Sequence, residues 1–310
     1  MNLIKTGLIS IVLLITTATL FTRCKQEEKV DNTNAALALF NHDLDTLNYL
    51  VDSVFYVQVA GNDDVATLRS TFLTSRDAYK RIEFLVEFYM PETSRFVNGP
   101  PLPEIEVEEH EITEPHGFQV IEEILYPEYA ESDKEHLLLE IKNLSIFIKK
   151  YNDFFGVKQI TANHLLHALR MNVFRVIALG LSGFDTPLSK NGIVEAGTSF
   201  STLNRYLNVF YAASKDEVLV NDLKNKIASA STYLIQQKDF DAFDRMYFIK
   251  KYANPIFRDM LTFQRSIGIE PLHTVSPFAV MLKTFLMLII MMQMLMPKTV
   301  LFTLHQKKLL

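Results

Sequence analysis

Apolar residues recur every three or four positions through most of this 310-residue chain, and this spacing constrains the fold more than any other feature. It places apolar side chains on one face of an α-helix, whereas a half-buried strand would alternate apolar and polar residues. No stretch alternates clearly enough to predict a strand. We therefore expect an all-α fold, a helical bundle of about eight helices. The pattern is plain in Val65, Leu68, Phe72, Tyr79, Ile82, Val86 and Tyr89.

The predicted helices form one domain at 35–270. Residues that commonly end helices lie between them, such as 61–64 and 182–187. The predicted helical ranges are 35–60, 63–90, 116–126, 133–154, 159–180, 193–213, 215–237 and 240–267.

A long segment at 91–115 interrupts the helical pattern. It is rich in proline between Asn98 and Pro103, and we expect it to form a long acidic, Pro-rich loop, because such loops in compact domains are usually functional or disordered. Its carboxylates can be solvated, can hold a hard cation or a basic partner, or can keep a short extended edge at 104–108 from pairing with other chains. The acidic residues are Glu104, Glu106, Glu108, Glu109, Glu111 and Glu114.

Residues 1–23 have the pattern of an export signal. Lys5 precedes an apolar stretch at 7–21, which is shorter than the roughly 20 residues that cross a membrane comfortably. Cys24 follows, within a polar linker at 24–34. The segment resembles a bacterial lipoprotein signal, although Arg23 stands where such signals prefer a small residue. This resemblance implies lipidation of Cys24 and a lipid-anchored cell-envelope protein, periplasmic or associated with the outer membrane; the alternative is an unmodified Cys24 behind an uncleaved anchor.

Composition and missing motifs exclude several classes of function. A formal net charge of -5 with scattered lysines and arginines argues against nucleic acid as a partner. The single cysteine rules out the C-x-x-C-H sequence that attaches c-type haem, so this chain should hold no such cofactor. The glycines form no nucleotide-binding pattern, and neither a His-Glu-x-x-His nor a G-x-S-x-G motif occurs. We predict no catalytic residue.

A candidate metal site lies at the start of the third predicted helix. Gln119 and Glu122 are three residues apart, so they share a helical face and can meet one ligand. With Gly117 they resemble the G-x-H-x-x-E signature of imelysin-like envelope proteins, which implies an imelysin-like bundle and metal binding. Gln119 stands where that signature has histidine, and His116 is the nearest substitute. The predicted metal ligands are therefore Glu122, Gln119 and His116.

Other chemically capable side chains lie on helical faces. His164 and His167 have a spacing that can chelate a transition metal, but packing on an amphipathic helix is the simpler interpretation. Four charged residues lie within or beside apolar faces, and we expect them to form buried ion pairs that fix helix register. These residues are Glu83, Glu87, Arg170 and Arg175.

Four segments together resemble a larger family. They are 79–83, 91–103, 114–126 and 180–187. In this order they are similar to the imelysin-like N-terminal region of cytochrome c peroxidase-like proteins of Bacteroidetes-type bacteria. The resemblance covers about residues 35–270.

In that family a helical part of this kind precedes a haem domain with two c-type haems that reduces hydrogen peroxide. The resemblance thus implies an accessory or binding module, catalytically silent by itself, with a haem domain or a cytochrome as partner and the membrane as anchor through Cys24. The alternative is a free-standing imelysin-like lipoprotein for iron uptake or ligand binding.

The last segment, 271–310, departs from the composition of the rest. Six of the eleven methionines lie within 278–296, a stretch long enough to cross a membrane, although Lys283 and Gln293 are costly there. The alternative is a frameshifted tail, because Asn and Asp codons of an AT-rich gene read out of phase encode Met, Ile and Leu. A frameshift would separate the helical module from a haem domain encoded downstream.

Overall fold

The computed structural model describes residues 32–106, 111–237 and 239–272, and over these residues the protein is an all-α helical bundle. The described part comprises nine helices and one small β-hairpin. The prediction of an all-α bundle is confirmed. Predictions for residues 1–23, for Cys24, for most of the 24–34 linker and for nearly all of the 271–310 tail concern residues outside these ranges.

The elements follow one another along the chain with short connections. Helix α1 (33–61) consists of Thr33–Tyr49, π-helical Leu50–Phe55 and Tyr56–Gly61, and it is followed by α2 (Val65–Tyr89), α3 (Pro91–Asn98), β1 (Glu104–Glu106), β2 (Glu111–Thr113), α4 (Phe118–Leu125) and α5 (Lys134–Val157). Helix α6 (162–180) consists of Ala162–Arg175 and π-helical Val176–Gly180, and it is followed by α7 (Gly192–Tyr211) and α8 (Glu217–Ile235). Helix α9 (245–266) consists of Arg245–Phe248, π-helical Ile249–Ala253 and Asn254–Ser266.

Eight of these helices lie where the apolar spacing predicts them. The largest difference is at α9, which begins at Arg245 and not at 240. The carboxylate of Asp244 accepts a hydrogen bond from the backbone N–H of Tyr247 and so caps the first turn. Asp64 caps α2 in the same way.

The segment 91–115 is more regular than the predicted loop. Helix α3 begins at Pro91, whose fixed φ and missing N–H suit the first position of a helix. Strands β1 and β2 pair antiparallel, with Glu104 opposite Thr113 and Glu106 opposite Glu111. The expectation of an irregular loop is therefore wrong for both parts, and the short extended edge considered for 104–108 corresponds to β1.

Helix α2 lies at the centre of the bundle and contacts α1, α3, α4, α6 and α7. Its buried side chains Phe72 and Tyr79 meet the ring of Phe118, the first residue of α4, at centroid distances of 6.2 and 5.6 Å. Burying such a side chain contributes about 1.5–3 kcal/mol. No helix within the described ranges is both long enough and apolar enough to cross a membrane.

Candidate functional site

Charged side chains project from the buried face of α2. Arg76 is fully buried and donates two hydrogen bonds to the carboxylate of Glu195 on α7, from Nε at 2.7 Å and from Nη2 at 2.9 Å. Its Nη1 donates to Oδ1 of Asn98 at the end of α3, at 2.9 Å. Burial opposes the charge of Arg76, yet Glu195 outweighs it and raises the pKa of the guanidinium. Arg76 thus joins α2, α3 and α7 through charge-assisted hydrogen bonds.

One turn along α2, the buried Lys80 Nζ donates to Glu83 Oε1 and to Asp185 Oδ2, both at 2.7 Å. Burial disfavours the ammonium, but Asp185, Glu83 and Glu195 together raise the pKa of Lys80. Burial likewise disfavours the carboxylate of Asp185, but Lys80 and neighbouring arginines lower its pKa. Both groups are therefore charged in the folded protein.

A third cation completes the group. Arg175 Nη2 of α6 lies 2.6 Å from Glu87 Oε1, and its Nε lies 3.2 Å from Glu83 Oε1. The Tyr79 hydroxyl also donates to Glu87, at 2.9 Å. Burial outweighs Arg175 and raises the pKa of Glu87 to about 7. The predicted buried ion pairs are confirmed for Glu83, Glu87 and Arg175.

Arg170 is not part of these pairs. Its guanidinium carbon lies 4.9 Å from the centroid of the Phe257 ring on α9. Position on an apolar helical face did not distinguish this arginine from Arg175, because the difference depends on which helix lies opposite.

We refer to these seven charged residues as the paired cluster. At mildly acidic pH, when Glu87 binds a proton, three cations face three carboxylates, so the charges balance without a ligand. The members are Arg76, Lys80, Arg175, Glu83, Glu87, Asp185 and Glu195.

The paired cluster draws together the four segments that carry the sequence resemblance. Lys80 comes from 79–83, Asn98 from 91–103 and Asp185 from 180–187. The segment 114–126 joins them through Gln119, whose Nε2 donates to the backbone carbonyl of Asn98 at 3.0 Å. Sequence analysis did not single out Arg76 or Lys80. The available signal was their spacing along the apolar face of α2, because Lys80 lies three residues before Glu83 and Arg76 lies four residues before Lys80.

The three predicted metal ligands are each engaged with a different partner. Nδ1 of His116 lies 3.1 Å from a carboxylate oxygen of Glu140 on α5. Gln119 is turned inward to Asn98, and Oε1 of Glu122 accepts the backbone N–H of Ser189 at 2.9 Å. Their joint binding of a metal stays a prediction. Across the described residues, no group of three or more His, Cys, Asp or Glu side chains is placed to hold a metal ion.

One carboxyl oxygen of Glu122 makes no hydrogen bond to the described residues. The residue is fully buried, and its Oε2 has no hydrogen-bond partner among the described residues. Burial raises the pKa of this carboxyl against the opposing influence of the Ser189 N–H and of Arg76. A buried acceptor of this kind is costly unless a proton, a water or a ligand satisfies it.

Gly117 is required by the backbone. Its φ is +95°, and a Cβ at this position would lie 2.3 Å from the carbonyl oxygen of Val97 and 2.5 Å from that of Phe96. Only glycine allows α3 and the start of α4 to approach this closely. The glycine of the G-x-Q-x-x-E sequence is thus explained by packing alone.

The histidines of α6 pack against aromatic rings. His167 meets the ring of Phe88 edge-on at 5.6 Å, and His164 lies 5.7 Å from the ring of Tyr89. Burial, together with Arg170 and His164, lowers the pKa of His167. The packing interpretation accounts for both positions.

Comparison with known proteins adds no relative: no family model and no curated protein matches this sequence.

Proposed function

We propose that this chain is the helical accessory module of a cytochrome c peroxidase-like lipoprotein of the bacterial cell envelope, anchored to the membrane through lipid on Cys24 and catalytically silent by itself. One observation carries the proposal. The four segments on which the resemblance rests extend from residue 79 to residue 187, with 53 residues between the third and the fourth, yet they meet at the paired cluster, as expected if they belong to one structural unit. The two c-type haems of the family would belong to a partner domain and not to this chain.

The proposal is tested on the purified full chain by haem staining and by an assay of hydrogen-peroxide reduction with a reduced cytochrome as donor. We expect no stain and no rate above that of a buffer blank. Peroxide reduction by this chain alone would contradict the accessory role.

The second test concerns the proposed link to a haem domain. The nucleotide sequence around the codon for Ser276 should show a shifted reading frame that continues into two C-x-x-C-H motifs. Immediate stop codons in every frame would contradict the link and favour a genuine C-terminal segment.

The unpartnered Oε2 of Glu122 favours one alternative, an imelysin-like lipoprotein that binds iron or another ligand. Iron content measured after incubation with Fe²⁺ separates the two proposals. The alternative requires bound iron in the wild type, loss of that iron in Glu122→Ala, and retention in Glu123→Ala, a matched change at the exposed neighbouring carboxylate. Equal iron contents in all three proteins would reject a site at Glu122.

A further inference from the structure

Helices α6 and α9 lie side by side, with a polar contact toward one end of the junction and contacts to the Phe257 ring toward the other. Gln264 Nε2 of α9 donates to Asn163 Oδ1 of α6 at 3.1 Å, and Arg170 of α6 lies over the ring of Phe257 of α9 at 4.9 Å. The two contacts are seven residues apart on each helix, about 10 Å along the axis. They hold the side chains between them in a fixed arrangement.

Basic side chains accumulate along this junction. His164, His167 and Arg170 follow one another at three-residue spacing on the same face of α6, and Arg265 belongs to α9. Arg170 and His167 are half-buried, whereas Arg265 is exposed. We call these four residues the cationic patch.

Two nitrogen atoms of the cationic patch make no hydrogen bond to the described residues. The Nε of Arg170 and the Nδ1 of His167 are buried atoms with no partner among the described residues. An arginine Nε–H is always a donor, so its burial without an acceptor adds to the cost of holding Arg170 at this position. Phe257 provides a cation–π contact, which leaves the donors in the plane of the guanidinium free to meet a ligand.

The charge of the cationic patch is also uncompensated. Burial and Arg265 lower the pKa of Arg170, whereas carboxylates raise the pKa of each cation in the paired cluster. The neighbours that lower the pKa of His167 are Arg170 and His164, and no carboxylate is among them. Within the described ranges, no carboxylate acts on either group. Half-buried positive charge of this kind is costly unless an anion accompanies it.

We propose that the cationic patch is a binding site for a phosphate-class oxyanion, held by the two Nη–H groups of Arg170 and by the charge of Arg265. A planar guanidinium presents paired donors that match two oxygens of such an anion. Met171 is exposed on the same face of α6, so an apolar group attached to the anion can lie beside the site. The oxyanion can come from free phosphate or from the headgroup of an anionic lipid. This site is separate from the paired cluster and does not depend on the proposed accessory role.

Calorimetric titration of the full chain in neutral detergent with inorganic phosphate, against chloride at constant ionic strength, tests the site. We expect saturable binding by the wild type, at least tenfold weaker binding by Arg170→Gln, and an intermediate loss in Arg170→Lys, which keeps the charge without the planar donors. The matched control is Arg258→Gln, an arginine on α9 whose side chain is 73% exposed and contacts Asp259; its affinity should stay within twofold of the wild type.

A second arm distinguishes the source of the anion. Full chain is co-sedimented with vesicles of phosphatidylglycerol or of phosphatidylcholine, and only the excess on phosphatidylglycerol that Arg170→Gln removes is counted. Binding of free phosphate alone assigns a small soluble anion; such an excess on vesicles assigns a lipid headgroup. The proposal is overturned if the wild type shows neither, or if Arg170→Gln behaves as Arg258→Gln does. If Arg170→Gln does not fold, the same measurements are made on Arg265→Gln, which should also bind phosphate more weakly than the wild type.

Discussion

The paired cluster and the cationic patch both hold charge away from bulk water, but they differ in charge balance. In the paired cluster, Arg76, Lys80 and Arg175 each meet a carboxylate at 2.7 Å or less. In the cationic patch, Arg170 faces an aromatic ring and a like charge, and no carboxylate raises its pKa. The same residue type, on helices of one bundle, thus has opposite surroundings.

The difference separates two uses of buried charge. Where every cation is matched inside the fold, removing one partner leaves the other buried and uncompensated, so the pair acts on stability and register. Where a buried cation has no carboxylate beside it, binding of an anion stabilises the folded protein. Such a site is therefore expected to bind a ligand. The four predictions below test this contrast, beginning with the largest expected effect.

Replacement of Arg76 by methionine should cause the largest loss. It leaves the carboxylate of Glu195 buried without its bidentate partner, and we expect the free energy of unfolding to fall by about 3–5 kcal/mol, measured by urea denaturation. Arg81→Met is the matched control, because Arg81 forms a half-exposed pair with Asp77 on the same helix and should lose less than about 1 kcal/mol. Similar losses in the two variants would remove the distinction between buried and exposed pairs.

Substitution of Gly117 by alanine tests the close approach of α3 to the start of α4, beside the paired cluster. The new Cβ would collide with the carbonyl of Val97 at a positive φ, so we expect a loss of at least about 2 kcal/mol in urea denaturation. Gly156→Ala near the end of α5 is the control, since a Cβ there meets nothing within 4 Å and should leave stability unchanged or slightly raised. Equal stability of the two variants would show that the α3–α4 approach is not tight.

Glu87 should make stability depend on pH. Its pKa is about 7 when folded and lies near 4.5 when unfolded, so the folded state binds more protons between these values. Its contribution is therefore fully present below pH 4.5, is lost as pH rises to about 7, and amounts to at most about 3 kcal/mol. Glu122, also with a raised pKa, adds to this trend, and His167, with a lowered pKa, opposes it.

The comparison of wild type with Glu87→Gln isolates that contribution. Urea denaturation at pH 5 and at pH 8 should show a smaller drop in stability for the variant than for the wild type. Parallel pH profiles would mean that Arg175 keeps Glu87 ionised throughout this range.

Replacement of Arg170 by methionine should have the smallest effect on stability in phosphate-free buffer. The variant loses a cation–π contact of about 0.5–1 kcal/mol but also removes an uncompensated half-buried charge, so we expect a net change within about 1 kcal/mol by thermal denaturation. A loss of stability as large as that of Arg76→Met would show that Arg170 has a structural partner. The distinction between the paired cluster and the cationic patch would then fail.

Much of the fold was predictable because it depends on local spacing. The three- and four-residue pattern placed eight helices, and the capping residues Asp64 and Thr161 are visible in the sequence. Helix α3 and the hairpin were missed for two reasons. Proline is typical of loops, yet Pro91 begins a helix, and the pairing of β1 with β2 depends on contacts that single-residue propensity does not report.

The candidate site was predictable only in part, because its pairings are long-range. Glu83, Glu87 and Arg175 were identifiable as charged residues on apolar faces. Glu195 and Asp185, by contrast, lie 119 and 105 residues along the chain from their partners Arg76 and Lys80. Which helix face meets which is a property of packing, and so is the inward turn of Gln119 toward Asn98.

The π-helical segments of α1, α6 and α9 have a consequence for how such chains can vary in length. Each adds a residue to a turn, and the apolar stripe of α1 continues across it, from Phe40, Leu44 and Leu47 to Val51 and Phe55. Deleting one residue there would restore a regular helix and leave the residues after it on the same face, because the wide turn had absorbed the extra residue. Related proteins can therefore lack this residue without a compensating change elsewhere in the helix, and alignments that place gaps only in loops would misregister them.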